Sequence, residues 1–151
     1  MSEKKRNFNV RVYGILIRNS KVLVSDEFIR EREITKLPGG GLEFGEGPIN
    51  CVVREFEEEL GIKISVLNHF YTTDFFVASA FDTSSQVISI YYEVEMNDEE
   101  NISTSEQAFD FEEKKEGAQR FRWIPLMGLS EKDFTFVIDK KIALLLNEKY
   151  N

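Results

Sequence analysis

Residues 40–62 read GGLEFGEGPINCVVREFEEELGI, and the fold turns on how this stretch is understood. Its second half, from Arg54 to Gly61, places four glutamates within eight residues. On a helix, Glu55, Glu58 and Glu59 fall on one arc roughly 100° wide, while Glu57 points elsewhere as an exposed charge. Like charges at i,i+4 destabilise a helix by about 0.2–0.5 kcal/mol per pair, so the arc is either a solvated acidic face or the seat of something positive. Upstream, Leu37–Gly47 carries five glycines and one proline in eleven residues, a loop that must turn tightly. Pro48 suits the first helical position and Gly61 the residue just past a helix end, so a helix is predicted from Pro48 to Leu60. Ile49, Val53, Phe56 and Leu60 fall on one stripe, the expected core face. Cys51 and Val52 border the carboxylate arc, which puts the triad at the edge of buried structure.

The spacing is regular: Gly40, five residues, Glu46, seven residues, then Arg54-Glu55-Phe56-Glu57-Glu58-Glu59-Leu60-Gly61-Ile62. It resembles the Nudix hydrolase box, Gly-x5-Glu-x7-Arg-Glu-U-x-Glu-Glu-x-Gly-U, with Phe56 and Ile62 as the apolar U residues. Seven fixed positions at about 7% each match by chance in about one window in 10⁸, and acidic bias raises that only by an order or two. The residues alone describe an oxygen-rich, electronegative site that suits a hard cation such as Mg²⁺ or Mn²⁺, next to a loop whose backbone can approach closely. Such an ion stabilises charge on a phosphoryl oxygen and lowers the pKa of bound water. The resemblance implies finer roles. Glu58 and Glu59 would be the main metal ligands with the Gly40 carbonyl, and Glu55 would be a further ligand, the holder of the water or the base. Arg54 would orient a box glutamate, and Glu46 would steady the loop. It also implies an α/β fold, the Nudix α/β/α sandwich around a mixed sheet, and hydrolysis of a phosphoanhydride in a nucleoside diphosphate linked to another group X.

Bulk properties agree with one domain spanning residues 1–151 behind a short basic tail at about 1–7. A chain of this length buries roughly 68–70% of its unfolded surface, and 42% hydrophobic residues with thirteen phenylalanines supply a core. The net charge of −8 repels a nucleic-acid backbone at long range, whereas a small anionic nucleotide can be received through a bound cation. The lone Cys51 excludes an intrachain disulfide and a Cys-cluster zinc site, and in its apolar run it reads as a small buried residue. The lone His69 follows the apolar segment Ile64–Leu67 and reads as a packing or surface residue rather than a base. No run approaches 18 apolar residues and the start MSEKKRNFNV lacks a signal-peptide form, so no membrane span and a cytoplasmic protein are expected.

Elsewhere, strands are predicted at Asn9–Ile17, Lys21–Ser25, Lys63–Ala78, Gln86–Met96 and Gln119–Ile124, and a closing helix within Asp133–Tyr150. Its apolar positions are Phe136, Ile138, Ile142, Leu145 and Leu146. Asp26–Ile34 reads as an exposed charged loop and Asn97–Gly117 as a long acidic one. Family members often add a glutamate from outside the box; Glu99, Glu100, Glu106, Glu112, Glu113 and Glu116 are all candidates. The proline that follows the box in ADP-ribose hydrolases is missing, as are the tyrosine of dinucleoside-polyphosphate hydrolases and the coenzyme A signature. Phe75, Phe76, Phe81, Tyr91 and Tyr92 are either core or stacking surfaces for a base. X is left open between a nucleoside triphosphate, a sugar nucleotide and related compounds. The alternative is a catalytically silent Nudix-like domain that binds or regulates. Many relatives are dimers, so a second copy of the chain stands among the candidate partners.

Overall fold

A computed structural model describes residues 5–151; the first part of the expected basic tail, residues 1–4, lies outside the described residues, and Asn7 already belongs to a strand. The β-branched alternation near the start forms two long strands, β1 (Asn7–Arg18) and β2 (Lys21–Ile29). They join at Asn19-Ser20, both at positive φ (53° and 61°), the conformation a tight two-residue hairpin needs. The strands pair only at Ile17 with Val22 and Arg18 with Lys21, and then splay apart.

Each builds its own half of the sheet. β4 (Gly39–Gly41) pairs antiparallel with β1, and β6 (Ser85–Met96) runs parallel to β1 from Asn7–Ser85 to Leu16–Val94. β5 (Ile64–Thr72) flanks β6. β3 (Arg32–Lys36) and β8 (Gln119–Pro125) pair antiparallel with β2, and the short β7 (Thr104–Ser105) lies parallel to β8. The sheet is therefore mixed, with a path β5-β6-β1-β2-β8-β7 and a cleft where β1 and β2 diverge.

Alternation along β1 sends side chains to two cores. Val12 and Leu16 pack with Cys51, Val52 and Phe56 of α1 (Pro48–Leu60), while Tyr13 and Ile15 pack with Ile138, Ile142 and Leu146 of α2 (Val137–Tyr150). The α/β/α sandwich is thus present, one helix on each face. Helix α1 has the predicted bounds, and Gly61 closes it in the left-handed conformation (φ 68°), its N–H donating to the Glu57 carbonyl. Its core face differs from the expected stripe. Ile49 is exposed, Val53 and Leu60 are half-buried, and the fully buried residues are Cys51, Val52 and Phe56. The helix is rolled so that the flank next to the carboxylates meets β1.

Three other expectations change. Asp26–Ile34 is not a loop: β2 continues to Ile29, turns at Arg30-Glu31 and returns as β3. The strand expected over Lys63–Ala78 ends at Thr72, and only Ala78 returns to bridge Gln86. The triple glycine, read as loop, forms β4. Asp26 explains the first change. It is fully buried, and its carboxylate accepts from Arg122 Nε and Nη2 (2.8 and 2.9 Å), Thr35 Oγ1 (2.7 Å) and the Phe109 N–H (3.1 Å). One charged residue so joins β2, β3, β8 and the loop of residues 106–118. Asp26→Ala would leave Arg122 without its partner, and a cost of about 3 kcal/mol is expected. Urea unfolding should show a lower midpoint with an unchanged slope; a midpoint within experimental error of wild type would contradict this role.

Candidate active site

The loop before α1 and the helix itself are joined by one guanidinium. Arg54 donates from Nε and Nη2 to the two oxygens of Glu46 (3.0 and 2.7 Å), from Nη1 to Glu55 and Glu58 (3.1 Å each), and from Nη2 to the Gly41 carbonyl (3.2 Å). The planar fork matches a carboxylate with two parallel bonds, which Lys could not supply. Glu46 also accepts from the Glu43 N–H (3.0 Å). The Arg54 bonds foremost, then that N–H, hold its carboxyl down to about 2. It therefore stays an anion that steadies the loop. Burial pushes the Cys51 thiol up to about 12, in keeping with an inert packing residue.

Gly40 is set against Glu55 so closely that a Cβ there would lie 2.5 Å from the carboxylate. Only glycine permits that approach. Glu59 turns inward, and its Oε2 is buried with no hydrogen-bond partner among the described residues. Burial first, then the neighbouring Glu27 and Glu55 charges, raise its carboxyl to about 7, although Lys36 and Gln119 act in the opposite direction. A buried carboxylate oxygen without a donor is costly, and a cation relieves it. All nearby donors are oxygens, the set that Mg²⁺ and Mn²⁺ prefer. Glu58 stands apart, 58% exposed and paired with Arg54, so no three carboxylate, His or Cys side chains already converge among the described residues. Being exposed, it can rotate on a fast timescale to join the others. Glu57 is solvent-exposed.

From these carboxylates a cleft of about 640 Å³ runs between the splayed strands to the start of α2. Along it Tyr13 and Tyr91 stack (centroids 5.2 Å apart). Phe81 and Phe136 meet edge to face at 6.0 Å, with the Arg30 guanidinium 5.1 Å over Phe81. Tyr91 donates to Asp139 Oδ1 (2.7 Å) in the first turn of α2, and burial raises that carboxyl to about 6. Hydrogen bonds in both directions between Thr35 and Thr135 (2.8 and 3.1 Å) fix this helix start against β3.

The sequence candidates divide accordingly. Gly40, Glu55 and Glu59 line the cleft and Arg54 holds its edge; Phe81 and Tyr91 line it too. Phe75, Phe76 and Tyr92 do not, and His69 is exposed, its Nε2 2.7 Å from Thr72 Oγ1. None of the six outside glutamates lines the cleft; Glu116, for one, accepts from the Arg30 N–H at 2.8 Å. Instead Glu27, Arg11, Lys36 and Asp139 do. Glu27 lies in the stretch that reads as loop and Lys36 just beyond it; the alternation of Ser25 and Glu27 along β2 is the available signal, and only the pairing of Ser25 with Lys36 brings the lysine to the same place.

A family model for the NUDIX domain matches residues 8–145. The chain belongs to the Nudix family. Its fold is similar to that of a Nudix hydrolase from Nitrosomonas europaea (16% identity, TM-score 0.69, covering 93% of this chain and 89% of that one). It is also similar to a MutT protein from Methanosarcina mazei Go1 (16%, 0.69, 98% of both chains) and a MutT Nudix hydrolase from Burkholderia pseudomallei (20%, 0.66, 95% and 98%). Identities this low carry the fold and not the substrate. No curated protein matches the sequence. As a member of this family the chain is a Nudix hydrolase. No helix among the described residues is long and apolar enough to cross a membrane.

Because the Glu59 carboxyl sits near 7, a cation must displace its proton. Mn²⁺ affinity of this Nudix protein is therefore expected to rise between about pH 6 and 8 and then level off, and binding near pH 6.5 should release a proton. Calorimetry in buffers of different ionisation enthalpy reads both. Affinity flat across that range would mean Glu59 is not a ligand.

Proposed function

We propose that the chain hydrolyses, with Mg²⁺ or Mn²⁺, the phosphoanhydride of a nucleoside diphosphate linked to a group X. The observation that carries this is the buried, partnerless Glu59 Oε2 beside Glu55 and Gly40, at one end of a cleft whose other end is aromatic. Glu55, Glu58, Glu59 and the Gly40 carbonyl are the residues that would hold the ion. When bound, the ion neutralises charge on the phosphates and makes water more acidic.

The chain's own groups supply the remainder. Water attacks one phosphorus, the bridging oxygen departs with the other phosphate, and the proton of water passes to a carboxylate. Glu55 is suited to take it: it is largely buried, and Arg54 Nη1 and Gly40 fix it in place. Arg54 orients Glu55 and Glu58 through one nitrogen and does not face the cleft itself. Phe81 and Phe136, half-buried in the cleft wall, offer apolar ring surface against which a base would lie.

A panel of nucleoside triphosphates, ADP-ribose, sugar nucleotides, dinucleoside polyphosphates and capped or triphosphorylated RNA ends, run with and without Mg²⁺, tests the reading. Hydrolysis of at least one member should require the ion. Glu58→Gln and Glu59→Gln should each lower kcat on the order of 10²–10³-fold, with folding unchanged by circular dichroism. Metal-dependent turnover at wild-type rate in both variants would refute the assignment. No turnover on any substrate would favour a silent binding domain.

A further inference from the structure

Within the cleft, two cations face one ring. The Arg11 guanidinium and the Lys36 ammonium lie 5.7 and 5.3 Å from the centroid of Tyr13, and Arg11 Nε donates to the Tyr13 hydroxyl at 2.6 Å. They are close enough to oppose one another electrostatically. Lys36 is only 7% exposed. Its acceptors are Glu27 at 3.3 Å and the Gly39 carbonyl at 3.5 Å, both at or beyond the long edge of hydrogen bonding. An ammonium has three donors, so this one is buried and short of partners. Arg11 uses only Nε; neither of its terminal nitrogens has a hydrogen-bond acceptor among the described residues.

The arrangement is braced from behind. Glu27 accepts from Ser25 Oγ (2.8 Å) and from Gln119 Nε2 (3.3 Å), and Gln119 Nε2 also donates to Ser25 Oγ (3.0 Å). Glu27 is therefore fixed, and it fixes the ammonium. Lys36 and Arg11 line the same cleft as Glu55, Glu59 and Asp139, and the fields of Glu59 on Lys36 and of Glu55 on Arg11 favour the charged cations. Carboxylates of the chain balance much of this charge, yet the terminal nitrogens of Arg11 and most of the Lys36 ammonium keep donors without a short acceptor among the described residues, and both side chains line the cleft.

We propose that Arg11 and Lys36 form an anion site for the phosphate that remains attached to the nucleoside, the half of the substrate that would lie toward Phe81 and Phe136. The proposal rests on the nucleotide reading above. It divides the work along the cleft: the box carboxylates receive the phosphate to be cleaved away through a divalent ion, and the cation pair receives its neighbour directly. A guanidinium and an ammonium are the side chains that bind phosphate oxygens, the first as a fork and the second as a point charge. Binding of the nucleoside half consequently needs no metal.

The test is titration of the whole protein in EDTA with AMP, GMP, CMP and UMP, followed by calorimetry or by phosphorus NMR. At least one monophosphate should bind wild type, more weakly as ionic strength rises. Lys36→Met should weaken that binding ten-fold or more, and Lys36→Arg should recover most of it. Arg11→Met, a change at a half-exposed side chain, should act in the same direction and carries the test if Lys36→Met fails to fold. Mn²⁺ binding, read by electron paramagnetic resonance, should be retained or tightened in Lys36→Met, since a positive neighbour of Glu59 is gone. The proposal is overturned if no monophosphate binds wild type in EDTA. It is equally overturned if Lys36→Met binds it as wild type does and only Mn²⁺ affinity changes, which would make the ammonium a counter-ion of the carboxylates and nothing more. Monophosphate binding without hydrolysis of any panel substrate would remove the hydrolase reading alone and leave the anion site standing.

Discussion

The contact on which the site depends is the five-bond grip of Arg54 on Glu46, Glu55, Glu58 and the Gly41 carbonyl. It ties a glycine-rich loop to the flank of a helix, so the Gly40 backbone and the box carboxylates keep a fixed relation. It also leaves a charge deficit. One guanidinium faces four carboxylates, those of Glu43, Glu46, Glu55 and Glu58, and Glu59 adds a fifth whose buried Oε2 has no hydrogen-bond partner among the described residues. The helix can carry such repulsion because each pair costs only tenths of a kcal/mol, which the burial of Phe56, Val52 and Cys51 exceeds.

The second constraint is the brevity of the β1–β2 pairing. Had the hairpin zipped along its length, the residues from Arg11 to Tyr13 would have faced β2 across a closed ladder. Two paired positions and then a splay leave a cleft whose walls are strand side chains, held by a continuous sheet on either side. The start of α2 closes the far end because Thr135 pairs with Thr35. Rigid elements therefore surround the ligand space on most sides, and little ordering remains to oppose binding.

How much of this could be read beforehand depended on whether a residue's task was local. Pro48 and Gly61 bound α1 through backbone rules that need no tertiary partner, and both predicted ends hold. The box glutamates and Arg54 were legible because one helix and the loop before it set their spacing. The roll of the helix was not, since Ile49 and Cys51 are nearly equivalent by pattern and only the position of β1 decides between them. Asp26–Ile34 was misread for a similar reason. Charged residues there resemble a solvated loop, yet Asp26 is satisfied by Arg122, ninety-six residues away. Glu27 and Lys36 share that origin: their roles exist only once β2, β3 and β8 lie side by side.

The same partners explain why the cleft carries both signs of charge. Carboxylates alone would repel a polyphosphate, and cations alone would bind it without activating water. Placing Glu55 and Glu59 in one cleft with Arg11 and Lys36 lets each set limit the other's desolvation penalty, because opposite charges attract across it. Lys36 acts to lower the raised carboxyl of Glu59, and Glu59 acts to keep the Lys36 ammonium charged. The cleft thus carries both signs of charge side by side, and Glu59 and Lys36 each stabilise the ionic form of the other.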